Sequence, residues 1–436
     1  MSSPLSSVYR PSKLRILGML LALLLLSVLG AACQRGTPAE SAASAHVVVQ
    51  FADGATHIRP VAWSGEMTRV QALEQAGYDV VSDEAGEAIC SIEGYGCPAT
   101  DCFCPDNLWA QGQWEEDGWD TDAWPPPAVV EGDVLAFRLG AQPDYSDWGL
   151  SGRLLEAPNY VAAYGALDWL RGQQEEDGGY DDGFDAIGAT VRSLLAVGAA
   201  GLDPDAWGEP SLSAYLTQAE AESTRAYAQG SAAAAGKLAI AAQWAGMDPT
   251  DLAGLDLADE IAATFDADTG AYGGGSGDAA WAVLGLYAIE QPIPQEVIAF
   301  FVEAQQEDGG WSWNELQSES EIQHTAIVVQ ALLAAGESRD SAALSSAMSL
   351  VSDAANPDGG YPYQIGGDSD LGTTAAVIQA LIGMGHQETD GQALYDALAY
   401  LRDMQQEDGS LEAWSPLYAT QEAIPALMGR TLGPRP

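Results

Sequence analysis

The hydrophobic positions follow three different patterns along the chain. Ile16 to Leu29 is an uncharged apolar run of fourteen residues preceded by Arg10, Lys13 and Arg15. It is too short for a spanning helix and has the layout of an export signal. From His46 to Ala52 the valine-rich pattern alternates weakly, Ile58 to Trp63 is a second extended stretch, and Thr68 to Gly77 opens on an N-cap residue ahead of Val70, Leu73 and Ala76. This order predicts strand, strand, helix. Leu108 to Trp114 and Val129 to Leu139 add extended segments, the latter with Glu131-Gly132-Asp133 ahead of Val134, Leu135, Ala136 and Phe137. From about Ala157 onward the pattern becomes helical and repeats.

The repeat is carried by its turns. Gln173-Gln174-Glu175-Glu176-Asp177-Gly178-Gly179-Tyr180 returns as Gln305-Gln306-Glu307-Asp308-Gly309-Gly310-Trp311, as Asn356-Pro357-Asp358-Gly359-Gly360-Tyr361 and as Gln405-Gln406-Glu407-Asp408-Gly409-Ser410-Leu411. Degenerate copies around Gln229-Gly230 and Asp268-Thr269-Gly270-Ala271-Tyr272 bring the count to six. A helical stretch such as Val297 to Ala304 precedes each turn, and a second helix such as Thr325 to Ala335 follows it. The glycines can take the left-handed angles that end one helix and reverse the chain. Ala326, Ala331, Ala334 and Ala335 let the second helices approach closely while Leu332 and Leu333 supply bulk. The Gln-x-x-Asp-Gly-Gly-aromatic motif resembles the repeat of protein prenyltransferases and squalene cyclases from about Ala157 to Leu427. That resemblance implies an α/α toroid of six hairpins, a ring that serves several unrelated functions.

Charge narrows the partners. Lys and Arg total 16 against 63 Asp and Glu, a formal charge of -47, and such a field repels nucleic acid and anionic headgroups alike. Gly30-Ala31-Ala32-Cys33 resembles the lipobox of bacterial lipoproteins. The resemblance implies acylation of Cys33 and a lipid-anchored protein on the outer side of a bacterial membrane. The remaining cysteines, Cys90, Cys97, Cys102 and Cys104, form an even set, which outside the cytoplasm reads as disulfides. Cys102 and Cys104 are too close in sequence to bridge without strain, so each joins Cys90 or Cys97, leaving two pairings. A zinc site is the rival, but the paired C-x2-C knuckles are missing.

These readings divide the chain into an export signal (1–32), a flexible tether (33–45), a small disulfide-bearing mixed-β domain with one helix (46–140), a linker (141–156) and an all-α ring of six helical hairpins (157–436). Cys90-Ser91-Ile92-Glu93-Gly94-Tyr95-Gly96-Cys97-Pro98, Asn107-Leu108-Trp109-Ala110 and Glu131-Gly132-Asp133-Val134 resemble the transcobalamin C-terminal-like domain. In vitamin B12 carriers that domain is paired with a helical ring, there in the opposite order.

Known chemistries of the ring can be checked by residue. No cysteine lies beyond Cys104, so the thiolate-activating zinc site of prenyltransferases is lacking. The nearest match to the Asp-x-Asp-Asp acid of squalene-type cyclases is Asp368-Ser369-Asp370, without the adjacent aspartate pair. Asp266-Ala267-Asp268-Thr269-Gly270 is a short calcium-type candidate without a closing glutamate. The expectation is therefore a non-enzymatic binder of a small molecule, with cobalamin or a related corrinoid clamped between the two domains. A surface interaction module is the alternative, and a terpenoid cyclase-like or polysaccharide-active enzyme the third reading. Candidate ligand contacts are Trp109, Trp114, Tyr180, Tyr272, Trp311, Trp313, His324, Tyr361 and Tyr363. For Tyr180, Trp311 and Tyr361 packing inside the repeat competes, because the aromatic recurs with the turn. No stretch marks an oligomer interface. A deep ring cavity holding a buried carboxylate would favour the enzyme.

Overall fold

The structure is a computed structural model that describes residues 44–50, 56–62, 67–83, 88–98, 102–104, 108–115, 118–120, 128–130, 133–139, 158–314, 319–387 and 391–435. The expected export signal, Cys33 and the linker 141–156 lie outside the described residues. In the N-terminal unit, β1 (Ser44–Gln50), β2 (Thr56–Ala62), β6 (Trp109–Glu115), β7 (Gly118–Asp120) and β8 (Val134–Leu139) form one sheet in the order β2-β1-β8-β6-β7, with β1 and β8 parallel. A smaller sheet joins β3 (Val80–Ser82), β4 (Ile89–Ile92) and β5 (Tyr95–Gly96). The helix α1 (Arg69–Gln75) begins at a capping box in which the Thr68 side chain accepts from the Gln71 N–H and the Gln71 side chain accepts from the Thr68 N–H. Cys90 pairs with Cys102 and Cys97 with Cys104.

The valine run of β1 has a simple cause: both faces of the large sheet are covered. Val47, Val49, Leu135 and Phe137 pack with Leu73 of α1 into the small domain's own core. Their strand neighbours Val48, Val134 and Ala136 point the opposite way, as successive strand residues must, and join Ala110 in the core of the helical half. There β2 lies against the first outer helix, with Arg59 Nη2 3.8 Å from Asp168 Oδ2. The small domain is thus fastened to the side of the ring.

The helical half is an α/α toroid of six hairpins. The outer helices are α2 (Pro158–Arg171), α4 (Ala221–Ala228), α6 (Leu257–Ala262), α8 (Glu296–Ala304), α10 (Ala342–Asp353) and α12 (Gln392–Asp403). The inner ones are α3 (Ala186–Ala199), α5 (Ala232–Trp244), α7 (Ser276–Ala288), α9 (Ile322–Ala334), α11 (Leu371–Met384) and α13 (Pro416–Leu427). Each inner helix packs on the next, and α13 returns to α3. Burial on nearly every face explains why the inner helices are apolar all round, whereas the outer ones show a single apolar stripe.

The repeated motif is the hardware of closure. The aspartate before each Gly-Gly accepts from an N–H two residues on, at 3.0 Å for Asp177 and Asp358. The first glycine takes a positive φ, +89° at Gly359, and a Cβ there would stand 2.6 Å from the Asp396 carbonyl of the next hairpin. The leading glutamine ties the turn to that neighbour: Gln305 Nε2 donates to the carbonyls of Gly309 (2.7 Å) and Ala343 (2.9 Å). Gln405 Nε2 does the same to Gly409 (3.0 Å) and to Ala162 (2.8 Å) in the first outer helix, so the last copy locks the ring. The residue after the turn then donates its N–H to a threonine of the inner helix: Tyr180 to Thr190 (2.9 Å), Trp311 to Thr325 (3.0 Å), Tyr361 to Thr374 (2.9 Å) and Leu411 to Thr420 (3.0 Å).

Gly359→Ala combines a strained backbone with a backbone collision, and should cost about 1–3 kcal/mol or more in urea unfolding. An exposed glycine with open space around it, such as Gly183, isolates the strain alone as a control. Equal losses at the two positions would show that hairpin contact at Gly359 contributes nothing.

Candidate functional site: the central cavity of the toroid

Six inner helices with parallel orientation place equivalent residues at equal depth. The seventh residue of α3, Arg192, stands level with the sixth of α5, Lys237, the sixth of α7, Trp281, the sixth of α9, Ile327, and the seventh of α13, Glu422. Together they form the middle layer of a central cavity of about 150 Å3. Above it, toward the N-terminal ends of the helices, lie Trp313, Gln323, His324 and Tyr418. Below lie Leu195, Trp244, Gln379, Pro425 and Leu432. At 1.5 Å per residue, the seven positions from His324 or Tyr418 to Pro425 amount to a depth of roughly 10 Å.

The cavity is aromatic yet charged. The Lys237 ammonium lies over the ring of Trp281 at 4.7 Å and that of Trp313 at 5.9 Å, so the π faces already hold a cation. Burial pushes that ammonium below its usual range, with Glu422 opposing and Arg192 adding to the shift. Arg192 is anchored by Asp182, whose carboxylate accepts at 2.5 Å, and by Gln421 Oε1 at 3.2 Å, and it stacks 5.4 Å from the Tyr418 ring. Gln421 is itself fixed by donating to the Ala189 carbonyl (2.9 Å) and Ser193 Oγ (2.7 Å). Burial pushes the Glu422 carboxyl up, against the pull of Arg192 and Lys237. A carboxyl so placed holds its proton where an exposed glutamate would lose it.

At the rim, His324 Nδ1 stands 2.5 Å from Glu321 Oε2, which also accepts from the Trp313 N–H at 2.9 Å. The imidazole meets Trp313 edge-on at 4.9 Å and Tyr363 at 6.0 Å. Burial pushes it below its usual value despite Glu321, which keeps it neutral near pH 7.

Of the residues singled out in sequence, Trp313 and His324 line the cavity and Tyr363 lies beside His324 on the outer rim. Tyr180, Tyr272, Trp311 and Tyr361 do not: each is at most 2% exposed and fills its own hairpin. The Tyr180 hydroxyl, for example, donates to the Leu170 carbonyl (3.0 Å) and accepts from Trp207 Nε1 (2.8 Å). Trp109 is buried in the small domain, donating to the Tyr95 carbonyl at 2.8 Å. Trp114 lies in β6, and its side chain lies outside what is described. Asp370 is no shielded acid but an exposed N-cap, its Oδ1 accepting from both the N–H and the Oγ1 of Thr373 at 2.7 Å. Asp266 likewise serves a turn, accepting from the Asp268 N–H at 2.9 Å. Among the described residues no group of three or more His, Cys, Asp or Glu side chains could hold a metal ion.

Arg192, Lys237, Trp281, Tyr418 and Glu422 were not anticipated. For Arg192, Lys237 and Glu422 the signal is a single charged side chain in the middle of an otherwise apolar helix, as in Ala-Ala-Ala-Ala-Gly-Lys237-Leu-Ala-Ile-Ala-Ala.

Residues 279–418 match the model of the prenyltransferase alpha-alpha toroid domain. A drimenyl diphosphate synthase of Streptantibioticus cattleyicolor is 32% identical over 126 residues, which is 28% of this chain and 23% of that protein. A second drimenyl diphosphate synthase, of Streptomyces showdoensis, is 30% identical over 126 residues with the same coverage. The chain spans about a quarter of the length of these curated relatives. Among solved structures, the type II terpene cyclase MstE from Scytonema is similar with a TM-score of 0.46 at 12% identity, over 62% of this chain and 97% of that one.

Two expectations are corrected here. The corrinoid carrier and the non-enzymatic surface module give way because the relatives of the toroid are named as synthases, which are enzymes. The geometry that was to support a ligand clamped between domains is also missing from the described residues, where the β-sheet packs on the outer helix α2 and its Val48, Ala110, Val134 and Ala136 are used in that packing.

The raised Glu422 carboxyl has a consequence for stability. A carboxyl whose folded pKa exceeds its unfolded value near 4.5 stabilises the fold below that value and loses this contribution as pH rises through the folded pKa. Glu422→Gln keeps the shape without the charge. Urea unfolding should therefore find it equal to the parent near pH 4 and more stable at pH 8; a variant less stable at pH 8 would show the ionised form to be the favoured one.

Proposed function

We propose that the central cavity cyclises an isoprenoid chain by protonating it, with Glu422 as the acid. The observation that carries this reading is the Glu422 carboxyl, pushed up by burial, inside a cavity walled by Trp244, Trp281, Trp313 and Tyr418. The relatives' name, drimenyl diphosphate synthase, supports the substrate class.

The chemistry follows from the layers. An isoprenoid entering from the rim leaves its polar head near Gln323 and His324 and brings its far end to the middle layer. Glu422 O–H gives its proton to the terminal alkene; the π pair forms the new C–H bond and leaves a tertiary cation. The next alkene attacks that cation, forming a carbon–carbon bond and moving the charge along the chain. Loss of a proton from the last cation, ultimately restoring Glu422, balances the cycle. The walls suit each stage. Arg192 and Lys237 stabilise the carboxylate as it forms, which makes an otherwise reluctant acid stronger. The indole faces that hold the Lys237 ammonium can hold a carbocation in the same way, and the aromatic part of the wall limits capture of the cation by water. An acyl anchor at Cys33 would keep this site beside the bilayer into which such chains partition.

The test is incubation of the protein with farnesyl and geranylgeranyl diphosphates, followed by phosphatase treatment and mass-spectrometric separation of the alcohols. Cyclised product is expected from the parent, with a loss of roughly 100- to 10,000-fold in Glu422→Gln. Because the acid acts in its protonated form, the parent rate should fall as pH rises through the raised Glu422 pKa. Turnover indifferent to Glu422→Gln, or no cyclised product from either chain, would overturn the assignment.

A further inference from the structure

We infer that residues 428–435, the end of the described chain, form the floor of the cavity, and that Leu432 sets how long an apolar chain the cavity accepts. This rests on the cavity being the binding site proposed above, but its test is a binding measurement that needs no turnover.

After α13 ends at Leu427, Gly429 takes φ +60° and the chain turns back under the ring. Three inner helices hold it there. Arg430 Nε donates to the Ala199 carbonyl at the end of α3 at 3.0 Å. Gln379 Nε2, from α11, donates to the Arg430 carbonyl at 3.1 Å. The Leu432 N–H donates to Gln330 Oε1, from α9, at 3.0 Å. Thr431 Oγ1 closes a local turn by donating to the Gly433 carbonyl at 2.7 Å. The fit is close: a Cβ on Gly433 would stand 2.6 Å from the Gln330 carbonyl oxygen.

Gln330 and Gln379 are buried amides in helices that are otherwise apolar at this depth. A buried amide costs free energy unless it is hydrogen-bonded, and each of these binds the tail. The tail is therefore built into the ring. Leu432 is 7% exposed and lines the cavity together with Pro425, Leu195 and Trp244. A cavity of about 150 Å3 is smaller than the roughly 300–1,000 Å3 usual for ligand pockets, so the position of its floor decides which chains fit.

The probes are 1-alkanols of increasing length, titrated by calorimetry into the chain from Cys33 to Pro436, with and without Glu422→Gln. Affinity should rise about fourfold per methylene, the equivalent of one buried CH2, and stop rising where the chain end meets Leu432. Leu432→Ala should move that limit to longer alkanols by about the three carbons removed, and Leu432→Phe should move it to shorter ones. The same limit in all three proteins would overturn the inference. A shift that persists in the Glu422→Gln background, together with no cyclised product from the parent itself, would leave the floor in place while removing the proposed chemistry, so the two readings fail separately.

Discussion

The hydrogen bond from the turn's N–H to a threonine of the following inner helix is the contact on which the site depends. Each bond is worth only about 1 kcal/mol net, but leaving such a buried donor without its acceptor costs about 1–3 kcal/mol, and both partners are buried at Thr190, Thr325, Thr374 and Thr420. Its larger effect is geometric. Pinning one residue of a helix to a fixed turn sets the rotation of that helix about its axis, and the same offsets then face the centre in every copy. Two residues beyond the threonine come Arg192, Ile327, Ala376 and Glu422; five beyond come Leu195, Gln330, Gln379 and Pro425. Arg192, Ile327 and Glu422 of the first set belong to the middle layer of the cavity, and the second set either lines the floor or holds the tail that closes it.

Against this scaffold the distribution of charge is unusual. The chain has two lysines, Lys13 and Lys237, and Lys237 lies in the central cavity. A protein with a net charge of -47 thus places one of its two lysines in an enclosed cavity, where burial pushes its ammonium down and pushes the Glu422 carboxyl up. Structural need does not explain it, since an apolar side chain of similar size would fill the same space at lower cost. Isolated charges retained at that cost belong to sites whose pKa values are set for a task.

The ring was legible in sequence because its turns demand particular residues. An aspartate must accept from the turn, a glycine must take φ +89° against a neighbouring carbonyl as Gly359 does, and a glutamine must reach the next hairpin. Such demands leave a motif. The cavity leaves none, because its lining comes from a few residues of each inner helix that differ from copy to copy. The aromatic after Gly-Gly drew attention precisely where the motif is strongest, and there Tyr180, Trp311 and Tyr361 are used up in packing. His324 and Trp313 could be found from their place at the entrance of an inner helix. Lys237 and Glu422 could have been found by asking which charges interrupt an apolar helix, a question about burial rather than about motifs.

The same distinction explains why a missing cyclase motif did not exclude an acid. Asp370 stands in the nearest match to that motif, and there it caps α11, exposed and accepting from Thr373 twice rather than enclosed in the cavity. Two positions further on stands Gly372, where an added Cβ would stand 3.0 Å from the Tyr418 ring and where no side chain can titrate. Protonating an alkene does not require a particular helix. It requires a neutral carboxyl, a dry wall and a π face for the cation that results. A ring of six equivalent inner helices can present an acid from any of them at the same depth, and on the function proposed above α13 would present Glu422, level with Lys237 and Trp281. Pseudo-symmetry therefore lets the acid move from one helix to another while the cavity, and the chemistry it can support, stay the same.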